Sequence, residues 1–211
     1  MSSVFGAKYS KAVSAVAAAM VAFFFLGCSE ASALDNSPRM KILGAARAPI
    51  GFVAFCSSHP ADCARETQQQ GRVILTAATF SQLDQVNRWA NTQIQPVTDQ
   101  EFYGTPEYWT YPTTKGDCED YVLLKRKLLM DAGWSESSLL ITVVRDEKGA
   151  GHAVLTVPTD QGDLVLDNQR EDVVVWSQTP YQYVKRQSQT DPKLWVFVGP
   201  VDSNTGVAST R

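Results

Sequence analysis

Apolar residues between Phe80 and Ile94 recur at helical spacing: Phe80, Leu83, Val86, Trp89, Ala90 and Ile94. They predict an amphipathic helix that Pro96 ends. A second helix fits Cys118 to Ala132, with Tyr121, Val122, Leu124, Leu128 and Leu129 on its buried side and Gly133 as its stop. The period then switches. Residues 139–146, 152–159, 164–167, 173–176 and 194–198 are β-branched or aromatic runs that read as strands. Gly149-Ala150-Gly151 and Asp160-Gln161-Gly162-Asp163 supply turns between the first three. Helices followed by hairpin-linked strands predict an α+β domain, N-terminal helices packed on an antiparallel sheet. Residues 97–116 form an aromatic-rich connection broken by Gly104, Pro106 and Pro112. A connection of that length without its own pattern points to function, with Tyr103, Tyr108 and Trp109 either lining a cleft or packing in the core.

The first 33 residues read as an address. Lys8 and Lys11 precede an apolar run from Ala12 to Leu26, and Ala31-Ser32-Ala33 permits cleavage before Leu34. This is the layout of a secretory signal peptide. Fifteen residues from 12 to 26 fall short of the roughly 20 needed to cross a bilayer, so no integral span is expected after processing. The rival, lipidation at Cys28, has Phe25 where an aliphatic residue is usual. Residues 34–48 read as a flexible entry segment, 49–199 as the folded domain and 200–211 as a frayed tail. At 44% hydrophobic residues and 211 residues in length, the chain can bury a core, which argues against disorder and against a disulfide-dense mini-protein. Nineteen basic against 22 acidic residues, with no basic cluster, give no footprint for nucleic acid.

Export changes how the cysteines are read. Cys56 and Cys63 flank a short loop containing Pro60, which in an oxidising compartment can close as a disulfide. The rival, a Cys56/His59/Cys63 metal site, is one ligand short for structural zinc. A Cys56–Cys63 pair leaves Cys118 without a partner, and an unpaired thiol in an exported protein is a candidate nucleophile.

Cys118 lies in Gly116-Asp117-Cys118-Glu119-Asp120-Tyr121, at the predicted start of the second helix. Unpaired backbone N–H groups and the helix dipole there favour thiolate and can hold an oxyanion. The three flanking acids push the other way, so a base or a cation is needed to keep the thiol reactive. His152 opens a strand after a Gly-rich turn, and Asp167 closes the next strand, where a hairpin partner can orient the imidazole. Cys118, His152 and Asp167 are therefore the candidate catalytic set. The plainer alternatives are a small buried hydrophobe and a hydrogen-bonded structural histidine.

From Ala48 to Gly199 the sequence resembles the bacterial transglutaminase-like cysteine proteinases, of the papain/transglutaminase superfamily. The resemblance rests on Ala48-Pro49-Ile50-Gly51-Phe52 leading to Cys56, on Asn87 to Ile94 followed by Asp99, and on Tyr103-Gly104 with Tyr108-Trp109. It continues through the Gly116–Tyr121 string, His152-Ala153-Val154-Leu155 and Leu164-Val165-Leu166-Asp167-Asn168. It implies an α+β papain-like core, a Cys118–His152–Asp167 triad and export to the periplasm. The best-known branch is a calcium-dependent periplasmic protease that clips large surface adhesins in biofilm control and is held inactive by an inner-membrane cyclic-di-GMP receptor. In that branch the acids flanking the nucleophile bind calcium, which carries over to Asp117 and Glu119 and extends to Asp120. Hard oxygen ligands suit calcium, and a dication would offset the repulsion around Cys118. The alternative for these three acids is ordinary helix-start chemistry, Asp117 as N-cap and the others in the first turn.

The expected activity is an exported cysteine endopeptidase acting on a protein substrate. A transglutaminase or amide transferase would use the same acyl-enzyme and pass it to an amine. A non-catalytic binding module of the same fold would leave Cys118 a buried structural residue.

Overall fold

The computed structural model describes residues 38–64 and 71–199. The signal-peptide region, residues 34–37 and the tail 200–211 lie outside the described residues. In chain order the elements are β1 (Gly44–Ala46), α1 (Ile50–Ser58), α2 (Ala77–Gln93), β2 (Gln95–Pro96), α3 (Asp99–Phe102), β3 (Lys115–Gly116) and α4 (Cys118–Asp131). Then come β4 (Leu140–Arg145), β5 (Gly151–Thr159), β6 (Gly162–Asp167), β7 (Arg170–Val175), β8 (Gln182–Gln187) and β9 (Trp195–Phe197). The expected α+β architecture is present, with one antiparallel sheet in the order β1-β9-β8-β4-β5-β6-β7.

Both faces of the sheet are covered, and the period of two sorts the side chains. Val143, Ala153, Leu155, Leu164 and Leu166 join Phe52 and Phe55 of α1, Leu83 of α2 and Val122, Leu123 and Leu129 of α4 in the main core. Val144, Val154 and Val165 face the other way and pack with Met40, Tyr183 and Val198. Gly51 makes the contact of α1 possible, because a Cβ there would meet the Trp109 indole at 2.2 Å.

Several features depart from the pattern reading. α2 starts at Ala77 rather than Phe80, because Thr76 and Thr79 form a reciprocal capping box. Its buried stripe is Leu83, Asn87 and Ala90, while Trp89 and Phe80 are exposed. On α4, Leu123, Lys125 and Arg126 are buried and Leu124 and Leu128 only half-buried, since the helix is flanked by more than the sheet. Arg126, for example, bridges the Asp62 carbonyl, the Leu139 carbonyl and the Glu136 carboxylate. Strand β8 was hidden by its polar composition; Arg186 within it is buried because it reaches Asp163 at 3.1 Å.

Residues 38–48, expected as part of a flexible entry, are tied down. The Met40 N–H donates to Asp163 Oδ2 (2.9 Å), the Asp163 N–H donates to the Pro38 carbonyl (2.7 Å), and β1 pairs with β9. Gly162, with φ +142°, lies where a Cβ would meet that Pro38 oxygen at 2.7 Å. Arg72 closes the opposite side of Asp163 at 2.6 Å.

Cys56 and Cys63 form a disulfide that closes the turn after α1, and His59 inside the loop stacks on Phe55 at 4.5 Å and meets the edge of Tyr111. The bond shortens the unfolded chain's freedom over a loop of about eight residues. Replacing both cysteines by alanine is expected to lower the unfolding free energy by about 2.5 kcal/mol, measured by urea denaturation.

Candidate active site

Cys118 is the first residue of α4, with Asp117 before it in the N-cap position. Asp117 does not cap with its side chain; its Oδ2 instead lies 3.4 Å from the Asp99 N–H. The thiol is buried at 6% exposure and is the free cysteine among the described residues. It packs in the main core with Ala153 of β5, the residue after His152, whose backbone N–H acts to lower the thiol's pKa. The β5–β6 pairing ends at Leu155 opposite Leu166, so this contact lies past the end of that ladder.

His152 and Asp167 have the alternation of Val154 and Val165 and so fall together on one face of the sheet. His152 Nε2 and Asp167 Oδ1 are 2.9 Å apart, both groups buried. Tyr181 donates its hydroxyl to Asp167 Oδ2 (2.5 Å) and sets its ring edge against the imidazole at 5.5 Å. The Gln169 N–H donates to Oδ1 as well (2.9 Å). Burial pushes the Asp167 carboxyl up, but the imidazole, the tyrosine hydroxyl and this amide overcome it and hold the group below the usual carboxylate range. Because Nε2 is committed to Asp167, Nδ1 is the ring nitrogen left for a proton-transfer partner.

The electrostatics at Cys118 fall on the side of the acids. Burial pushes the thiol well up, followed by the Glu119 and Asp117 carboxylates. Its Sγ donates to Glu119 Oε2 at 3.0 Å, so without a cation the acid next door holds the thiol proton in place. Burial is also the first cause of the raised carboxyls here, with Asp117 pushed up to about 6 and Asp120 to about 8.

Asp99, Asp117 and Glu119 each place a carboxylate oxygen within 4.8 Å of the other two, all three buried. Asp99 Oδ1 and Asp117 Oδ1 have no hydrogen-bond partner, which is the state expected of ligands shaped for a cation. Three carboxylates are hard donors suited to calcium or magnesium. Asp120 stands apart from this group. It folds back over Gly116, where a Cβ would meet its Oδ2 at 2.6 Å, and accepts the Thr110 N–H at 2.9 Å.

Asp99 was not among the expected ligands. It is brought in by the parallel pairing of β2 with β3, Gln95 opposite Lys115 and Pro96 opposite Gly116, which sets the chain after Pro96 beside the chain after Gly116. Its signal in the sequence was its place after the Asn87–Ile94 block. Tyr181 left no signal. Of the aromatic connection, Trp109 is buried in the core, whereas Phe102, Tyr103 and Tyr108 are exposed with adjacent ring centres 4.6 Å apart.

A thiol at a helix start, packed beside β5, with a His–Asp pair joining β5 to β6, is the layout of papain-like and transglutaminase-like cysteine enzymes. The family model for bacterial transglutaminase-like cysteine proteinases matches residues 42–203. The chain belongs to that family and is a cysteine peptidase. Among solved structures it is similar to LapG of Legionella pneumophila. The calcium-bound form has a TM-score of 0.49 and 25% identity, covering 61% of this chain and 75% of that chain. The EGTA-treated form has a TM-score of 0.47 and 28% identity, covering 55% and 66%. No curated protein sequence matches.

Tyr181→Phe removes one donor from a buried carboxylate and is expected to cost about 1.5 kcal/mol. Stability from a depressed carboxyl is present above its unfolded pKa, near 3.9, and is lost as pH falls through the folded value. Loss of the tyrosine donor raises that folded value toward the unfolded one, so in the variant the acid loss of stability still begins near the unfolded pKa but is smaller and is complete at a higher pH. Urea denaturation between about pH 2 and 6 checks this.

Proposed function

We propose that the chain is an exported, periplasmic cysteine endopeptidase using Cys118 as nucleophile, His152 as general base and acid, and Asp167 as the residue that orients His152. The observation that carries it is the 2.9 Å bond between His152 Nε2 and Asp167, with His152 on the strand whose next residue, Ala153, packs in the same core as the thiol. With Nε2 so engaged, Nδ1 takes the Cys118 proton and the thiolate attacks the scissile carbonyl. The backbone N–H groups at the start of α4 hold the oxyanion. His152 then protonates the leaving amine and deprotonates the water that hydrolyses the acyl-enzyme, returning the thiol.

Calcium would be held by Asp99, Asp117 and Glu119, and when bound it supplies positive charge beside the nucleophile. Two buried carboxylate oxygens without partners and an all-oxygen donor set support this reading. Glu119 then has a competing partner to the thiol proton it otherwise accepts. The Cys56–Cys63 disulfide and the signal-like residues 1–33 support an oxidising compartment outside the cytoplasm. The substrate class that fits the family resemblance is a large cell-surface adhesin, with an inner-membrane cyclic-di-GMP receptor as regulatory partner.

The test is cleavage of candidate surface proteins by the purified mature chain, with and without calcium. Cys118→Ala and His152→Ala are each expected to lower turnover by about 10³-fold or more. Chelation is expected to abolish cleavage, and Asp99→Asn and Glu119→Gln to remove calcium binding measured by calorimetry. Full activity of Cys118→Ala would overturn the nucleophile, and full activity in chelator, with no heat of binding, the metal.

A further inference from the structure

Lys125 is among the buried ionisable groups that the proposed reaction does not use. It is fully buried in α4, at 0% exposure, and an unshielded buried ammonium is among the costlier side chains a core can hold. It lies seven residues, two helical turns, after Cys118, so both project from the same side of α4 toward the sheet. Its Nζ donates to Asn87 Oδ1 at 2.8 Å and lies 5.8 Å from the centre of the Tyr121 ring.

Asn87, equally buried in α2, has every hydrogen-bonding position of its amide filled. Oδ1 accepts from Lys125 and from the Asp167 backbone N–H at 3.0 Å. Nδ2 donates to the Arg170 and Glu171 carbonyls at 3.0 and 2.9 Å. An amide with two acceptor and two donor positions so occupied has one orientation. Lys125 helps decide which: a flipped amide would turn its NH₂ toward an ammonium and an N–H. Asn91 adds a second clamp, donating to the Asp167 and Arg170 carbonyls.

We propose that Lys125 is a positioning residue, which by holding the Asn87 amide in register holds the Asp167 backbone, and with it the carboxylate that orients His152. This rests on the assignment of Asp167 to the reaction proposed above. The ladder geometry explains why such a device is needed. β6 pairs irregularly with β7 between Val165 and Asp167, so the backbone that aims this carboxylate takes its hold from α2. Charge acts in the same direction: burial pushes the Lys125 ammonium down to about 7, and Asp167 is the group that pulls it back up.

The experiment compares the wild type with Lys125→Met, which keeps the length and loses the donor. The readouts are kcat and KM separately and the low-field NMR resonance of the His152 Nε2 proton held by Asp167. The chain has two histidines, so His59→Gln assigns the resonance. In the folded variant the resonance is expected to broaden or vanish and kcat to fall by about tenfold or more with KM unchanged. A variant that is merely less stable, with resonance and kcat intact, overturns the proposal. Loss of the resonance with unchanged kcat leaves the Lys125 link standing and overturns instead the role of Asp167 in the reaction.

In the wild type the Asp167 amide is expected to exchange with deuterium only on global unfolding. Exchange at the rate of surface-loop amides overturns the proposal without any variant.

Discussion

The arrangement of this molecule depends on how one buried carboxylate is held. Asp167 closes β6 on the sheet face that also carries His152, and its two oxygens accept from an imidazole, a tyrosine hydroxyl and a backbone amide. A carboxylate so placed stays ionised because three donors outweigh the cost of leaving water. Its backbone is gripped from the helical layer, by Asn87 at the N–H and Asn91 at the carbonyl. The residue bonded to the imidazole is therefore held both through its carboxylate and through its backbone, which together fix its orientation.

The Cys118 end of the site is built on an opposite balance. Around Cys118 the buried groups are acids, and their field and the Glu119 contact keep the proton on sulfur. Asp99 and Asp117 carry oxygens with no internal partner in a region almost closed to solvent. Leaving such atoms unpaired costs stability, and a cation among them would repay that cost while removing the repulsion that opposes the thiolate. Poor local pairing and a protonated thiol thus have one origin, the concentration of negative charge at the helix start.

Long-range ties connect both ends to the rest of the fold. The β2–β3 pairing delivers Asp99 to Asp117, Asp120 anchors the aromatic connection through Thr110, and Asp163 fastens residues 38–48 to the β5–β6 turn with Arg72 and Arg186. Each uses a buried carboxylate to join segments that hydrophobic contact alone would leave free to slide, since directional bonds specify register where apolar packing does not.

Apolar spacing revealed α2 and α4, and short β-branched or aromatic runs revealed five of the strands, because those segments bury their apolar side chains in helical rows or in nearly continuous stretches. The turn glycines and the order Cys118, His152, Asp167 along the chain were legible because hairpin geometry and helix capping are local. Strand β8 was missed because Arg186 and Gln187 are buried by partners rather than by being apolar. Trp89 and Phe80 were misplaced because the core-facing stripe of α2 is set by Asn87, a polar residue. Asp99, Tyr181 and Lys125 lie far along the chain from the groups they meet, and no periodicity marks them. The sequence by itself determined the fold class, the family and the position of Cys118 at a helix start, all written in short-range pattern and motif. Only the tertiary structure decided which acids gather, which ring nitrogen faces Asp167 and what grips its backbone, because these follow from distances between segments that the chain order leaves open.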